Sequence, residues 1–186
     1  MVILIGGVSC TGKTALAQRL LERHYMSVLS IDHLKMGLIR GWPECGFSAE
    51  DSDDAIAEKL WPVLEGIVRT CVENGQHLIV EGCYLPPERV RLLCDALPGE
   101  IVAVYIGLSE GYIERHFEDG LLAHRNRIER RGQDEDRPSD WFRAAHRRMK
   151  QRCLENGLPH FWIAEDYDAE MWAVEEWIDR QLDELR

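Results

Sequence analysis

Gly7-Val8-Ser9-Cys10-Thr11-Gly12-Lys13-Thr14 is a run whose residue types and spacing prescribe a chemistry at every fixed position. It fits G-x-x-x-x-G-K-[ST] in full. Its glycines let the backbone turn so that successive N–H groups, from Gly7 through Thr14, point at phosphate oxygens. A helix opening near Gly12 would add its positive end. Lys13 would carry a full charge to the β- and γ-phosphates, and the Thr14 hydroxyl is a hard oxygen suited to Mg²⁺. The ligand this implies is a nucleoside triphosphate, ATP with Mg²⁺.

Phosphate transfer needs more than a cradle. It needs a group that positions or deprotonates the acceptor, a second anchor for metal or water, and cations over the moving phosphate. Asp32 follows an apolar run in Leu29-Ser30-Ile31-Asp32-His33 and suits the first task, although an Asp there also suits a helix cap. Glu81 ends His77-Leu78-Ile79-Val80-Glu81 and has the layout of a strand-end, metal-binding carboxylate. Arg125, Arg127, Arg130 and Arg131, then Arg137, Arg143, Arg147 and Arg148, flank a loop holding Gly132 and Pro138. Guanidinium groups bind two phosphate oxygens at once, so this region, about 120–150, is expected to form a lid that supplies transition-state charge. Arg127 and Arg131, four apart, share a face. His33, Arg40 and Tyr84 fall on the acceptor side and are candidate substrate contacts. The acceptor pocket is expected from residues 32–52 and 82–86.

The elements that must position these groups alternate. Short apolar runs at Val2–Ile5, Val28–Ile31, His77–Val80, Ile101–Ile106 and His160–Ile163 read as buried strands. Helices are expected over Gly12–Arg23, His33–Arg40, Glu50–Glu73, from Pro86-Pro87 to Leu97, from a Ser109 cap to Arg131, over Ser139–Glu155 and over Ala169–Leu185. Pro62 should kink the third, whose apolar side carries Ile56, Leu60, Val63, Ile67, Val68 and Cys71. Trp61, Trp172 and Trp177 read as packing. Strand–helix alternation implies an α/β fold, a parallel sheet covered on both faces, in one domain over 1–186.

Composition narrows the partners. A net charge of −11 disfavours non-specific nucleic-acid binding. No apolar run approaches the roughly 18 residues of a membrane span, so a cytoplasmic, non-membrane protein is expected. The six cysteines have neither CxxC nor zinc spacing, and read as free thiols. Neither a DxxG nor an NKxD segment, expected of a GTPase, occurs. Nothing in the residues specifies an oligomeric state.

With the loop, Asp32, Glu81 and the basic lid, the chain resembles the small P-loop kinases of the nucleoside monophosphate kinase superfamily. Ile79-Val80-Glu81-Gly82 followed by Pro86-Pro87 looks most like the 2-phosphoglycerate kinase and zeta-toxin branch. The resemblance implies a three-layer P-loop NTPase fold with strand order 2-3-1-4-5 and a lid before strand five. It implies ATP-dependent phosphotransfer, with Asp32 as base, Arg131 or Arg127 as the lid arginine, and Asp166 and Tyr167 near the adenine. The leading expectation is therefore transfer to a hydroxyl of a small-molecule acceptor. A nucleoside monophosphate kinase, whose acceptor phosphate needs no base, and a regulatory ATP switch without a small acceptor are the alternatives.

Overall fold

The computed structural model describes residues 1–122 and 137–185. Five strands, β1 (Val2–Gly7), β2 (Ser27–Ser30), β3 (Leu78–Glu81), β4 (Ile101–Leu108) and β5 (His160–Ile163), form one parallel sheet in the order β2-β3-β1-β4-β5. The connecting helices are α1 (Lys13–His24), α2 (Ile31–Gly41), α3 (Asp53–Glu73), α4 (Pro87–Ala96), α5 (Glu110–His116), α6 (Ser139–Glu155) and α7 (Tyr167–Glu184).

The period of two along each strand builds two cores. Ile3, Ile5, Ile79, Val104 and Ile106 face one side, under Leu16 and Leu20 of α1 and Met171, Val174 and Ile178 of α7. Val2, Leu4, Val80, Ala103 and Tyr105 face the other, under Ile56, Leu60 and Leu64 of α3 and Val90 and Leu93 of α4. Helix α6 serves both, with Phe142 on the first side and Cys153 on the second. Three-layer burial of this kind leaves one edge of the sheet, at the strand C-termini, for ligands.

Registers bring the chemistry to that edge. Glu81 lies level with Ile5 of β1 and Ser30 of β2, and Gly7 lies level with Ile106 of β4. The phosphate loop therefore leaves β1 beside the end of β3.

Several expectations change. Helix α2 begins at Ile31 with Ser30 as its cap residue, so Asp32 sits inside the first turn rather than capping it. The helix after β4 is shorter than expected. It ends at His116 and passes into a π-helical turn over Phe117–Leu122, and the expected stretch to Arg131 lies beyond the described residues. On α3 the buried stripe is Ile56, Ala57, Leu60, Trp61, Leu64 and Val68, while Val63 is on the exposed side at 38%. Pro62 lies within that helix on its solvent face, so the Glu58 carbonyl left without a donor faces water. Trp172 is 56% exposed, because the core register of α7 runs through Met171, Val174, Ile178 and Leu182. Trp177 packs edge-on to Phe161. All six cysteines are free thiols.

Candidate active site

The phosphate loop is shaped by two glycines with positive φ, at each of which a Cβ would collide with a neighbour. At Gly7, φ is +141°, and a Cβ would stand 2.1 Å from the Ile106 carbonyl oxygen. At Gly12, φ is +86°, and a Cβ would stand 1.8 Å from the Tyr167 hydroxyl. Tyr167, at the start of α7, donates to the Thr11 carbonyl at 3.2 Å and so holds the loop from behind. Cys10 is also left-handed, with φ +61°. Inside the loop, the Thr11 hydroxyl donates to the Val8 carbonyl at 3.1 Å. Lys13 Nζ donates to the same carbonyl at 2.6 Å and to Thr11 Oγ1 at 3.4 Å. Buried Ser9 Oγ has no hydrogen-bond partner among the described residues.

No acidic residue stands in the first turn of α1, and no side chain caps it. Its first backbone N–H groups and its dipole are left to attract an anion, as a phosphate site requires.

Thr14 and Glu81 meet at the foot of the loop. Thr14 Oγ1 donates to Glu81 Oε2 at 3.3 Å, and the carboxylate is 3% exposed. A buried strand-end acid could have been matched by a cation, but here its partner is a hydroxyl. Two hard oxygens so close suit Mg²⁺, which keeps several waters and needs few protein ligands. The donor set therefore fits the metal expected with a nucleoside triphosphate.

A second group forms where β2 and β3 end. Lys35 Nζ, one turn after Asp32 on α2, bonds Asp32 Oδ1 at 2.9 Å and the Tyr84 hydroxyl at 2.8 Å. Burial pulls the Lys35 pKa down, but the bonds to Tyr84 and Asp32 outweigh it and the net direction is up. Burial pushes the Tyr84 phenol up to about 12, opposed by Lys35. Both groups thus keep their protons at neutral pH, and Lys35 holds the Asp32 carboxylate in place. Lys35 was not among the sequence candidates. Its signal was the i, i+3 spacing from Asp32, which places both side chains on one helix face. His33 and Arg40 are exposed on α2, outside this hydrogen-bonded trio.

Next to the loop lies an open cleft. Gly7, Val8 and Cys83 form its floor, Asp53 and Ala57 of α3 one wall, and Trp141, Ala145, Arg148 and Met149 of α6 the other. Residues 83, 85 and 86 of the expected acceptor pocket line it, whereas no residue of 32–52 does so among those described. Burial raises the Cys83 thiol, against Lys13, and keeps it protonated. Burial also raises the Asp53 carboxyl from its ordinary value, opposed by Arg137 and Lys35.

The arginines divide. Arg127 and Arg131, with Arg125 and Arg130, lie outside the described residues. Arg137 stacks over the Trp141 ring at 4.1 Å. Arg143 pairs with Glu114 and Asp140, and Arg147 with Glu110 at 2.6 Å, tying α6 to α5. Arg152 bridges Asp54 of α3 at 3.1 Å and Glu88 of α4 at 2.7 Å. Asp166 accepts from Ala169 N at 3.0 Å and caps α7.

The AAA_33 family of AAA domains matches residues 2–155. The chain belongs to this family. No curated protein matches it in sequence. Among solved structures, this AAA_33 chain is similar to a candidate kinase from Chloroflexus aurantiacus, with 21% identity and TM-score 0.58, covering 100% of this chain and 97% of that one. It is also similar to the shikimate kinase of Aquifex aeolicus, with 13% identity and TM-score 0.58, covering 98% of each chain. A gluconokinase from Sinorhizobium meliloti shares 18% identity at TM-score 0.51, over 97% of this chain and 96% of its own. At these identities the likeness is one of fold, and the fold of the AAA_33 chain is that of the small P-loop kinases. Among its described residues, no helix is long and apolar enough to cross a membrane.

Proposed function

We propose that this chain is an ATP-dependent phosphotransferase that moves the γ-phosphate of ATP to a hydroxyl of a small metabolite. The observation that carries this reading is the Asp32–Lys35–Tyr84 group at the strand ends, on the same sheet edge as the phosphate loop. A switch that only binds and releases nucleotide has no need of a carboxylate held in place by a half-buried lysine. The shikimate kinase and gluconokinase likenesses fit, since both names denote small-molecule kinases.

In this reading the loop amides and Lys13 hold the β- and γ-phosphates. Thr14, with Glu81 directly or through water, would hold Mg²⁺, which would neutralise charge on the phosphate oxygens. Asp32 accepts the proton of the acceptor hydroxyl while that oxygen forms its bond to the γ-phosphorus. The bond from the γ-phosphorus to the β,γ-bridging oxygen breaks, and ADP leaves. Lys35 fixes the Asp32 carboxylate through a charged hydrogen bond. A lid arginine, Arg131 or Arg127, supplies charge over the transferred phosphoryl group.

The test is a metabolite-library screen for stimulated ADP release, with Lys13→Ala as the inactive control. Asp32→Asn should lower acceptor-stimulated release by about 10²- to 10⁴-fold, the usual contribution of a general base, with ATP binding retained. Undiminished transfer by Asp32→Asn removes Asp32 as base. ATP loss that no metabolite stimulates removes the kinase reading.

A further inference from the structure

Among the described residues, charges on the walls of the cleft beside the phosphate loop are paired with two exceptions. Arg152 is matched by Asp54 and Glu88. Arg143 and Arg147, on the same helix, are matched by acids of α5 and α6. Arg148 lines the cleft and makes no hydrogen bond or ion pair among the described residues. Across from it, Asp53 lines the α3 wall and likewise accepts no hydrogen bond there. Acids are not scarce, because the chain carries 33 Asp and Glu against 22 Lys and Arg. A guanidinium that meets no carboxylate among the described residues, in so acidic a chain and next to a phosphate loop, can pair with a ligand anion.

The spacing of α6 explains how Arg148 reaches this place. Trp141, Ala145, Arg148, Met149 and Arg152 fall at i, i+4, i+7, i+8 and i+11, a single helical face. The small Ala145 leaves room in the middle of that face, with an aromatic ring on one side and the guanidinium on the other. The opposite wall offers the Asp53 carboxylate, which accepts no hydrogen bond among the described residues and can take one from a hydroxyl.

We infer that the acceptor is a small polyhydroxylated anion. Its carboxylate or phosphate group pairs with Arg148, and a hydroxyl faces Asp53 near the loop. This rests on the phosphotransferase reading and adds the chemical class of its acceptor. A planar fork that grips two oxygens is the feature that carboxylates and phosphate monoesters share.

Because the phosphate loop itself binds anions, the test uses the chain saturated with Mg²⁺ and a non-hydrolysable ATP analogue. Gluconate, glucose 6-phosphate and neutral sorbitol are titrated into it by calorimetry. At least one of the two anions should bind about tenfold or more tightly than sorbitol. Arg148→Ala should remove that preference, and Arg148→Lys should restore only part of it. Which anion is preferred separates a carboxylate acceptor from a phosphorylated one. Equal or tighter binding of sorbitol, no binding of either anion, or a preference that survives Arg148→Ala overturns the inference. Phosphate transfer is measured separately with labelled ATP. Transfer to neutral polyols alone leaves the kinase reading standing and removes this one. Arg148-dependent anion binding, with no transfer to any acceptor of the library, does the reverse.

Discussion

Thr14 Oγ1 and Glu81 Oε2 lie 3.3 Å apart, although 67 residues separate them in the chain. The contact exists because α1 starts directly above the end of β3, whose last residue is level with Ile5. It joins the last residue of the phosphate loop to a carboxylate almost closed to solvent, 3% exposed.

Removing either oxygen should show in the metal requirement. Glu81→Gln keeps the shape and loses the charge. It should raise the Mg²⁺ concentration for half-maximal turnover by about 10- to 100-fold, the usual cost of a disturbed metal shell. Thr14→Val should do the same, and chelation by EDTA should abolish turnover of the unaltered chain. The check is turnover as a function of Mg²⁺ at fixed ATP.

Lys35→Met should lower kcat by about 10- to 100-fold, the loss of a charged hydrogen bond, with a smaller change in KM for ATP. Lys35 opposes the rise of the Tyr84 phenol, so removing it should push the Tyr84 pKa further up. Ultraviolet titration of the tyrosines reads that shift. Lys35→Arg should recover part of the rate, since it restores a donor to Asp32.

His146 sets an acid limit on stability. It is fully buried, and its Nδ1 accepts from Leu108 N at 3.0 Å. Burial first, and Lys13 second, lower its pKa from 6.5 to about 3. The unfolded chain therefore binds a proton between these values that the folded chain refuses. Stability is whole above pH 6.5 and falls as pH drops toward about 3. The slope from this residue is about 1.4 kcal/mol per pH unit. In His146→Gln that component should vanish from urea melts taken across the window, even if the baseline stability is lower.

Gly12→Ala should cost about 1–3 kcal/mol and weaken ATP binding, through left-handed strain and the collision with Tyr167. Adding Tyr167→Phe removes the hydroxyl oxygen from the collision, so the double variant should recover part of the stability. Thermal denaturation of the two variants decides this. A double variant no more stable than Gly12→Ala would assign the whole cost to the backbone.

Much of this arrangement could be read from the residues. The bounds of α6 and β5 follow from Pro138 and Asn156-Gly157, and from a run of apolar and aromatic residues before Asp166. Local punctuation fixed them, and the structure keeps them at Ser139–Glu155 and His160–Ile163. The strand order was implied by the family resemblance, since periodicity carries no information on which strands pair. Val63 and Trp172 misled because apolarity marks what can be buried, while the helix phase decides what is. The early end of α5 has a different origin. Phe117 continues the apolar pattern and packs against the core, yet the backbone winds into a π turn there, which side-chain spacing does not reveal. The cleft was only half legible. Its floor follows from the strand ends, but its α6 wall comes from a helix that returns from far along the chain.

The family match ends at residue 155, twelve positions before Tyr167. Yet the Tyr167 hydroxyl is bonded to Thr11 of the phosphate loop. From the same helix, Glu175 takes Arg19 and Arg23 of α1 as partners. The stretch recognised by similarity is therefore smaller than the mechanical unit. A fragment cut at the edge of the match would keep every residue of the nucleotide signature and lose the brace behind it. The affinity of the first fourteen residues for nucleotide should depend on the last twenty.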